Sequence, residues 1–195
     1  VSSITNDAPE TFPLGETIVT WTATDSSGNS ASATQTITVV DTTSPVITQP
    51  EIMTFEASYK TGNIIEIPLI ETIDNTEIVS ITNDAPTSYE LGSTIIIWEI
   101  IDISNNISTI EQTITVVDTT SPVIVIPNDV DVEATSLENN IVDYGFAQAS
   151  DQVEVSSITN DAPETFPLGE TIVTWTATDS SGNSASATQT ITVVD

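Results

Sequence analysis

Carboxylates are almost the only side chains in this sequence that could do chemistry. Its 195 residues include 29 aspartates and glutamates, one basic residue (Lys60), no histidine and no cysteine. This composition excludes histidine-activated serines, thiol nucleophiles, zinc sites of the usual kind and disulfides. Carboxylate and carbonyl oxygens suit Ca²⁺ or Mg²⁺, and Ca²⁺ in a structural role is the cofactor that we expect.

The net charge of −28 at pH 7 limits the partners of the chain. Nucleic-acid binding needs cations that displace the counterions of the phosphates, and one lysine cannot supply them. An anionic membrane surface would repel the chain. No apolar run approaches the ~18 residues of a membrane span. We therefore expect neither nucleic-acid binding nor membrane insertion of this segment.

Most of the acidic residues recur at a spacing of 77 residues. The run Asp41–Ile47 returns as Asp118–Ile124, and the three tryptophans, at 21, 98 and 175, keep the same spacing. Residues 1–41 are identical to residues 155–195 at all 41 positions, whereas residues 78–118 match that stretch at only 22 of them. Two types of repeat therefore alternate, which is typical of a modular array.

The repeat predicts three segments. Residues 1–41 correspond to the C-terminal half of a repeat, and residues 42–118 and 119–195 are complete repeats. The half repeat cannot close a domain alone, so its missing strands must come from upstream chain or from a neighbouring subunit. We interpret the chain as a window on a longer array.

In the segments that carry the carboxylates, apolar and polar residues alternate with a period of two. Val173, Trp175 and Ala177 share one face of a predicted strand, and threonines occupy the other. Such alternation is typical of antiparallel sheets with one buried face. The run Asp179–Asn183 is predicted to be a hairpin loop, with Gly182 supplying a positive φ. Further strands are predicted near residues 122–126, 130–134, 141–149 and 153–159. About seven short strands per repeat predict an all-β fold of tandem immunoglobulin-like β-sandwich domains in an elongated array.

Five segments, beginning at Asp118 and continuing through the third repeat, together resemble the hyalin repeat (HYR) domain: Asp118–Ile124, Val132–Thr135, Ala149–Asp151, Phe166–Gly169 and Val173–Asn183. The resemblance implies an immunoglobulin-like fold, tandem modules in secreted and cell-surface proteins, an association with adhesion and no catalytic motif. It therefore implies an extracellular or cell-surface location. Many animal members carry a cysteine pair that this chain lacks, so the resemblance favours a prokaryotic surface protein.

Metal ligands are predicted where the loops of one repeat meet the linker. In an immunoglobulin-like topology, with the strands lettered A to G in chain order, the B–C and F–G loops lie at the end of the domain where the first strand enters. The acidic residues of these loops would repel one another unless a cation bound between them. The predicted Ca²⁺ ligands are the linker residue Asp41 with Asp74, Asn75, Asp102 and Asn106 of the middle repeat, the linker residue Asp118 with Asp151, Asp179 and Asn183 of the third, and Asp84 from the opposite end of a domain. Asp and Asn are also ordinary turn formers, so metal-free loops are the alternative.

The middle repeat differs from the third on its outward face. Where the third repeat has threonine and serine, the middle repeat has isoleucine, at Ile97, Ile101, Ile103 and Ile107. An exposed apolar patch usually marks a contact surface, although another strand of the same domain could cover this one. Asn106-Ile107-Ser108 is also an N-glycosylation sequon, and its hairpin position predicts that Asn106 is exposed.

These observations predict the structural and adhesive repeat region of an extracellular filament, stalk or surface layer, with junctions stiffened by calcium. The expected partners are copies of itself, in a filament or lateral bundle, and cell-surface glycans or proteins. One alternative is an adhesin module that binds a ligand or glycan, but the repeated loops at the junction end hold no Trp or Tyr. Another is an accessory spacer of a larger secreted enzyme. Catalysis by a carboxylate pair is not expected, because small sandwiches without long loops have no deep cleft.

Overall fold

The computed structural model describes residues 1–195 and contains strands and loops but no helix, which confirms the prediction of an all-β fold. The strands are β1 (Ser3–Asn6), β2 (Gly15–Thr24), β3 (Ser30–Val39), β4 (Val46–Ile47), β5 (Met53–Glu56), β6 (Thr72–Ile73), β7 (Ile78–Asn83), β8 (Gly92–Asp102), β9 (Ile107–Val117), β10 (Val123–Val125), β11 (Val130–Glu133), β12 (Gln148–Ser150), β13 (Val155–Asn160), β14 (Gly169–Asp179) and β15 (Ser184–Val194). No helix long and apolar enough to span a membrane is found.

The chain divides into two compact units whose limits differ from the predicted domains. The first unit comprises Val1–Pro50, Leu69–Asp84 and Ile97–Glu111, and the second comprises Glu51–Pro68, Ala85–Ile96 and Gln112–Asp195. The predicted boundaries at 41/42 and 118/119 therefore stay a prediction.

In the first unit, β1, β2 and β3 form a three-stranded antiparallel sheet. β4 pairs with β6, and β7 pairs with the C-terminal part of β8, both antiparallel. Val19 on β2 is buried, but Trp21 on the same face is 40% exposed. The alternation that predicts a buried face in residues 1–41 is therefore present, but part of that face is open.

In the second unit, β11, β15, β14 and β13 form a four-stranded sheet in that order, and β10 pairs with β12. β11 runs parallel to β15, whereas the other pairs are antiparallel. The core between these sheets contains Val142, Phe166, Val173, Trp175, Ile191 and Val193. This two-layer arrangement confirms the β-sandwich prediction.

The strand predicted at 141–149 is mostly absent. Only Gln148–Ser150 is a strand here, as β12. The chain turns earlier because Asp143 Oδ1 accepts a hydrogen bond from the amide of Gly145 at 3.2 Å. Gly145 has a φ of 80°, a backbone conformation that residues other than glycine rarely adopt. This turn places Tyr144 and Phe146 in a loop.

Buried amide side chains tie loops to the sheets. Asn140 is 2% exposed. Its Oδ1 accepts from the amides of Thr135 and Ser136 at 2.8 and 2.9 Å, and its Nδ2 donates to the carbonyls of Ser136 and Phe166 at 2.8 and 2.9 Å. A buried amide with all of these bonds made stabilises the fold, whereas one left unpaired would cost about 1–3 kcal/mol.

Candidate metal centres

The first candidate metal centre lies in the first unit and consists of Asp41, Asp74 and Asp102. Asp41 follows β3, Asp74 follows β6, and Asp102 ends β8. One carboxylate oxygen from each residue lies within 4.8 Å of the others. Asp102 is fully buried, and the other two are half-buried. The structure thus brings together residues far apart in the sequence.

The hairpin after β8 orients the Asp102 carboxylate. Its Oδ1 accepts from the amides of Ser104 and Asn106, both at 2.8 Å, and its Oδ2 accepts from Asn106 Nδ2 at 2.7 Å. Asn106 Nδ2 also lies 3.3 Å from the carbonyl oxygen of Asp41. Asn105 takes the left-handed conformation in this loop, with a φ of 64°, which asparagine tolerates.

Hydrogen bonds do not satisfy all the oxygens of this centre. Thr76 Oγ1 lies 2.7 Å from both Asp41 Oδ2 and Asp74 Oδ2, yet a hydroxyl has one proton to donate. Asp74 Oδ1 is buried and has no hydrogen-bond partner. Asn75 Nδ2 donates to Asp41 Oδ1 at 3.2 Å. The centre therefore contains more negative oxygen than its donors can neutralise.

The second candidate metal centre lies in the second unit and consists of Asp118, Asp151 and Asp179, again with one oxygen from each within 4.8 Å of the others. Asp179 is 2% exposed. Its Oδ1 accepts from the amides of Ser181 and Asn183 at 2.9 and 2.8 Å, and its Oδ2 accepts from Asn183 Nδ2 at 2.9 Å. Asn183 Nδ2 also donates to the carbonyl of Asp118 at 3.0 Å, as Asn106 does to Asp41.

No cationic side chain neutralises either centre. The single lysine, Lys60, forms an ion pair with Glu154. The pKa of Asp41 is held below its ordinary value by hydrogen bonds from the Thr43 amide and the Thr76 hydroxyl. Burial raises the pKa of Asp179, but hydrogen bonds from the side chain and amide of Asn183 outweigh it, and the net shift is downward. Two carboxylates 4 Å apart repel by about 1 kcal/mol in water and about 4 kcal/mol near a protein surface.

Asp84 is not part of either centre. Its Oδ1 accepts from the amide of Ile97 at 2.6 Å. The equivalent residues of the other repeats do the same, with Asp7 bonded to the Thr20 amide and Asp161 to the Thr174 amide, each at 2.6 Å. Asp84 therefore holds a loop to the neighbouring strand, and the structure gives no support to a ligand role.

Glu56 is a residue that the sequence reasoning missed. It ends β5 in the second unit, and its carboxylate accepts from the amide of Thr119 at 2.7 Å and from the hydroxyls of Thr119 and Thr120, both at 2.9 Å. Thr119 directly follows Asp118 of the second centre. Glu56 thus fixes the linker beside that centre. The repeat contains a signal for this role, because Glu133 stands 77 residues later.

A family comparison decides what these repeats are. The family model described as the HYR domain matches residues 1–39 and 117–193. The chain belongs to the HYR family. The matched residues include β1 to β3, β10 to β14 and all but the last residue of β15. Residues 40–116, which include nearly all of the middle repeat, lie outside them, so a tandem arrangement remains a prediction.

Similar proteins include two hyalins. This HYR chain is 37% identical over 210 residues to hyalin of Strongylocentrotus purpuratus and 36% identical over the same length to hyalin of Lytechinus variegatus. Each match covers 100% of this chain, but only 18% and 40% of those proteins. The chain thus spans less than half the length of these relatives. They give no support to the expected prokaryotic origin.

Among solved structures, the protocadherin gamma B4 extracellular domain has a TM-score of 0.36 and 16% identity, over 99% of this chain and 41% of that one. The human desmocollin-1 ectodomain has a TM-score of 0.29 and 16% identity, over 92% of this chain and 47% of that one. Likenesses this weak support no argument about function.

The predicted interaction patch of the HYR chain is partly exposed. Ile97, Ile103 and Ile107 are 45%, 51% and 52% exposed, and Ile101 is half-buried.

The glycosylation sequon is less accessible than its sequence position predicts. Asn106 is half-buried rather than exposed, and its Nδ2, the atom that would carry a sugar, donates to Asp102 and Asp41. Glycosylation would replace one of the two Nδ2 hydrogens, so at least one of these hydrogen bonds would be lost.

The Glu56 contact predicts a pH-dependent linker. The Thr119 amide, followed by the hydroxyls of Thr120 and Thr119, lowers the pKa of Glu56 below its ordinary value of 4.5. The contact is therefore fully present above that ordinary value and is lost as the pH falls through the lowered pKa of the folded state. At neutral pH, we expect Glu56→Ala to accelerate hydrogen exchange of the Thr119 amide. In the wild type, we expect exchange of the same amide to accelerate in acid, once the rates are corrected for the intrinsic pH dependence of exchange.

Glu133→Ala is the matched control, because Glu133 ends β11 as Glu56 ends β5 and is exposed. Amide exchange at Thr119, measured by NMR, should not respond to that variant. Equal exchange at Thr119 in the Glu56→Ala variant and the wild type would contradict this account of the linker.

Proposed function

We propose that this HYR chain is a structural and adhesive part of an extracellular protein, in which tandem repeats are joined by calcium-stiffened junctions. Membership of the HYR family and similarity to hyalin along the whole chain support an extracellular, adhesive and non-enzymatic role. The observation that carries the proposal is the pair of three-carboxylate centres, each containing the aspartate that precedes a linker.

The donor set fits calcium. Ca²⁺ takes six to eight oxygen ligands and accepts irregular geometry. In the first centre, Asp41, Asp74 and Asp102 would bind it, and Asp74 Oδ1 is a buried oxygen without a partner. In the second centre, Asp118, Asp151 and Asp179 would bind it. The nearby amides of Asn75, Asn106 and Asn183 donate to carboxylates or carbonyls, so they orient the ligands.

Calcium at these positions would stiffen the chain because each centre joins a linker residue to two loops. Asp41 follows β3, whereas Asp74, directly after β6, and Asp102, the last residue of β8, belong to the next repeat. The linker is already held by Asn106 Nδ2 on the Asp41 carbonyl, and Ser108 Oγ donates to the Pro45 carbonyl at 2.6 Å. A divalent cation would add charge neutralisation to these contacts and oppose rotation about the linker.

Spin-label distance measurements test this stiffening. The absence of native cysteine permits clean labelling of Thr34→Cys and Thr109→Cys, two exposed positions on β3 and β9. We expect Ca²⁺ to narrow the distance distribution, chelator to broaden it, and Asp102→Asn to abolish the response. A distribution that ignores calcium would refute the stiffening, while leaving the adhesive role open.

Copies of the same chain are the proposed partners, supported by the partly exposed isoleucine patch. The double variant Ile97→Thr with Ile101→Thr should reduce self-association in sedimentation experiments while the domain stays folded. Unchanged assembly of that variant would refute the patch as the contact surface.

A further inference from the structure

The third repeat contains a small cleft beside the loop that replaces the predicted strand. Its volume is about 180 Å³, and it is lined by Val142, Asp143, Tyr144, Gly145, Phe146, Asn160 and Trp175. None of these residues belongs to the two metal centres. The cleft is therefore independent of the calcium proposal.

Phe146 is the most unusual residue of this cleft, because it is 90% exposed. Exposing a large aromatic side chain forfeits about 1.5–3 kcal/mol of burial. The rest of the wall is fixed: the Tyr144 ring packs against Phe166 and Trp175 with centroid distances of 5.7 and 5.8 Å. The cleft thus combines a rigid aromatic wall with an aromatic ring open to solvent.

The backbone of the 143–146 loop holds Phe146 in its exposed position. Gly145 has a positive φ, and a Cβ at Gly145 would approach the Pro127 side chain to 3.3 Å. Asp143 Oδ1 holds the turn by accepting from the Gly145 amide. Phe146 is therefore presented by an ordered turn.

Two polar groups beside the aromatic rings remain available. The second carboxylate oxygen of Asp143, an exposed residue, accepts no hydrogen bond within the chain. Asn160 Oδ1 accepts from the Ala162 amide at 3.0 Å, which leaves the Asn160 Nδ2 donor free. The cleft thus offers one acceptor and one donor, as a ligand with hydroxyl groups requires.

We propose that this cleft binds a neutral pyranose ring of a saccharide. The apolar face of the ring would stack on Phe146, while its hydroxyls donate to Asp143 and accept from Asn160. An anionic sugar is disfavoured by the net charge of −28. A cation would be attracted by the Asp143 carboxylate, but the Asn160 Nδ2 donor would repel it. The middle repeat has Glu66, Ile67, Pro68 and Leu69 at the positions of 143–146 and lacks both aromatic residues.

NMR titration of the whole chain tests the proposal. The probes are the methyl glycosides of glucose, galactose, mannose and N-acetylglucosamine. We expect at least one glycoside to cause saturable shifts at the Gly145 amide and the Asn160 side chain, with a Kd on the order of 1 mM. A matching trisaccharide that binds more tightly would indicate an extended glycan, whereas equal affinity would indicate recognition of a single ring.

Three variants separate binding from folding. Phe146→Leu introduces the residue of the middle repeat, and Asn160→Asp keeps the acceptor for Ala162 while removing the donor. Each should weaken binding by roughly 3- to 10-fold, about the effect of one aromatic contact or hydrogen bond. Ile141→Thr is the control, because Ile141 is 88% exposed and does not line the cleft, and it should leave the Kd unchanged.

The proposal is overturned if none of the glycosides gives saturable shifts, or if Phe146→Leu and Asn160→Asp bind as the wild type does. Saturable shifts of the same signals with tetramethylammonium but not with any glycoside would also overturn it, by assigning the cleft to a cation.

Discussion

Replacing Trp175 with alanine is expected to lower the free energy of unfolding of the third repeat by about 3–5 kcal/mol. Trp175 is 3% exposed and belongs to the core of the second unit. Its Nε1 donates to Gln189 Oε1 at 3.0 Å, and Gln189 Nε2 donates to the carbonyls of Asn128 and Tyr144 at 2.7 and 3.0 Å. The substitution thus removes a large buried side chain and a partner of a fully hydrogen-bonded amide.

Trp21→Ala is an unusually close control for this prediction. Trp21 has the same flanking sequence and the same bond, from Nε1 to Gln35 Oε1 at 3.0 Å, but it is 40% exposed. We expect Trp21→Ala to lower the free energy of unfolding by less than half as much as Trp175→Ala does. Urea unfolding followed by residue-resolved NMR measures both losses. Equal losses would show that burial of the tryptophan does not decide its contribution.

The second large effect is expected from Asp179→Asn in the presence of calcium. A ligand at 100 times its Kd stabilises the folded state by about 2.7 kcal/mol if it binds only that state. We expect Asp179→Asn to remove most of this increment from the third repeat, because the second centre loses a buried carboxylate. Without calcium, the loss should be smaller, about 1 kcal/mol. The side-chain oxygen of the introduced asparagine can still accept from the amides of Ser181 and Asn183, whereas its Nδ2 would face the Asn183 Nδ2 donor. Urea unfolding with calcium or with chelator measures the increment.

Asp25→Asn is the matched control. Asp25 occupies the same position in the identical 41-residue sequence, and its Oδ1 accepts from the amides of Ser27 and Asn29 at 2.8 and 2.9 Å. It belongs to neither three-carboxylate centre. The calcium increment should survive in Asp25→Asn. An increment that survives equally in Asp179→Asn would remove Asp179 from the ligands.

The sequence predicted the strands where alternation and hairpin chemistry agree. Residues 171–178 and 184–194 alternate cleanly around the Asp179–Asn183 loop, and they lie in β14 and β15. The prediction is wrong at 141–149, where the residues do not alternate cleanly and Gly145 interrupts the segment. A positive φ at one glycine outweighs the β propensity of its neighbours, and a pattern read along the chain does not reveal this.

The candidate centres were partly predictable because the repeat fixes the topology of each loop. The aspartates of the linker and the two loops converge as the immunoglobulin-like topology requires. Asp84 lies outside both centres, and its ligand role stays a prediction, because a turn-forming aspartate looks the same in sequence whether it faces a metal or the amide of Ile97. Glu56 was missed because its partners lie 63 and 64 residues further along the chain. Such contacts depend on how β5 and the linker meet, which no local pattern encodes.

Equilibrium dialysis of the whole chain against radioactive Ca²⁺, at about 0.15 M salt to screen diffuse attraction by the acidic surface, tests the central claim most directly. The two centres predict saturation at two Ca²⁺ per chain, falling to one in Asp179→Asn and staying at two in Asp25→Asn. The absence of saturable binding in the wild-type chain would contradict the account and leave both groups of carboxylates as hydrogen-bonded loops.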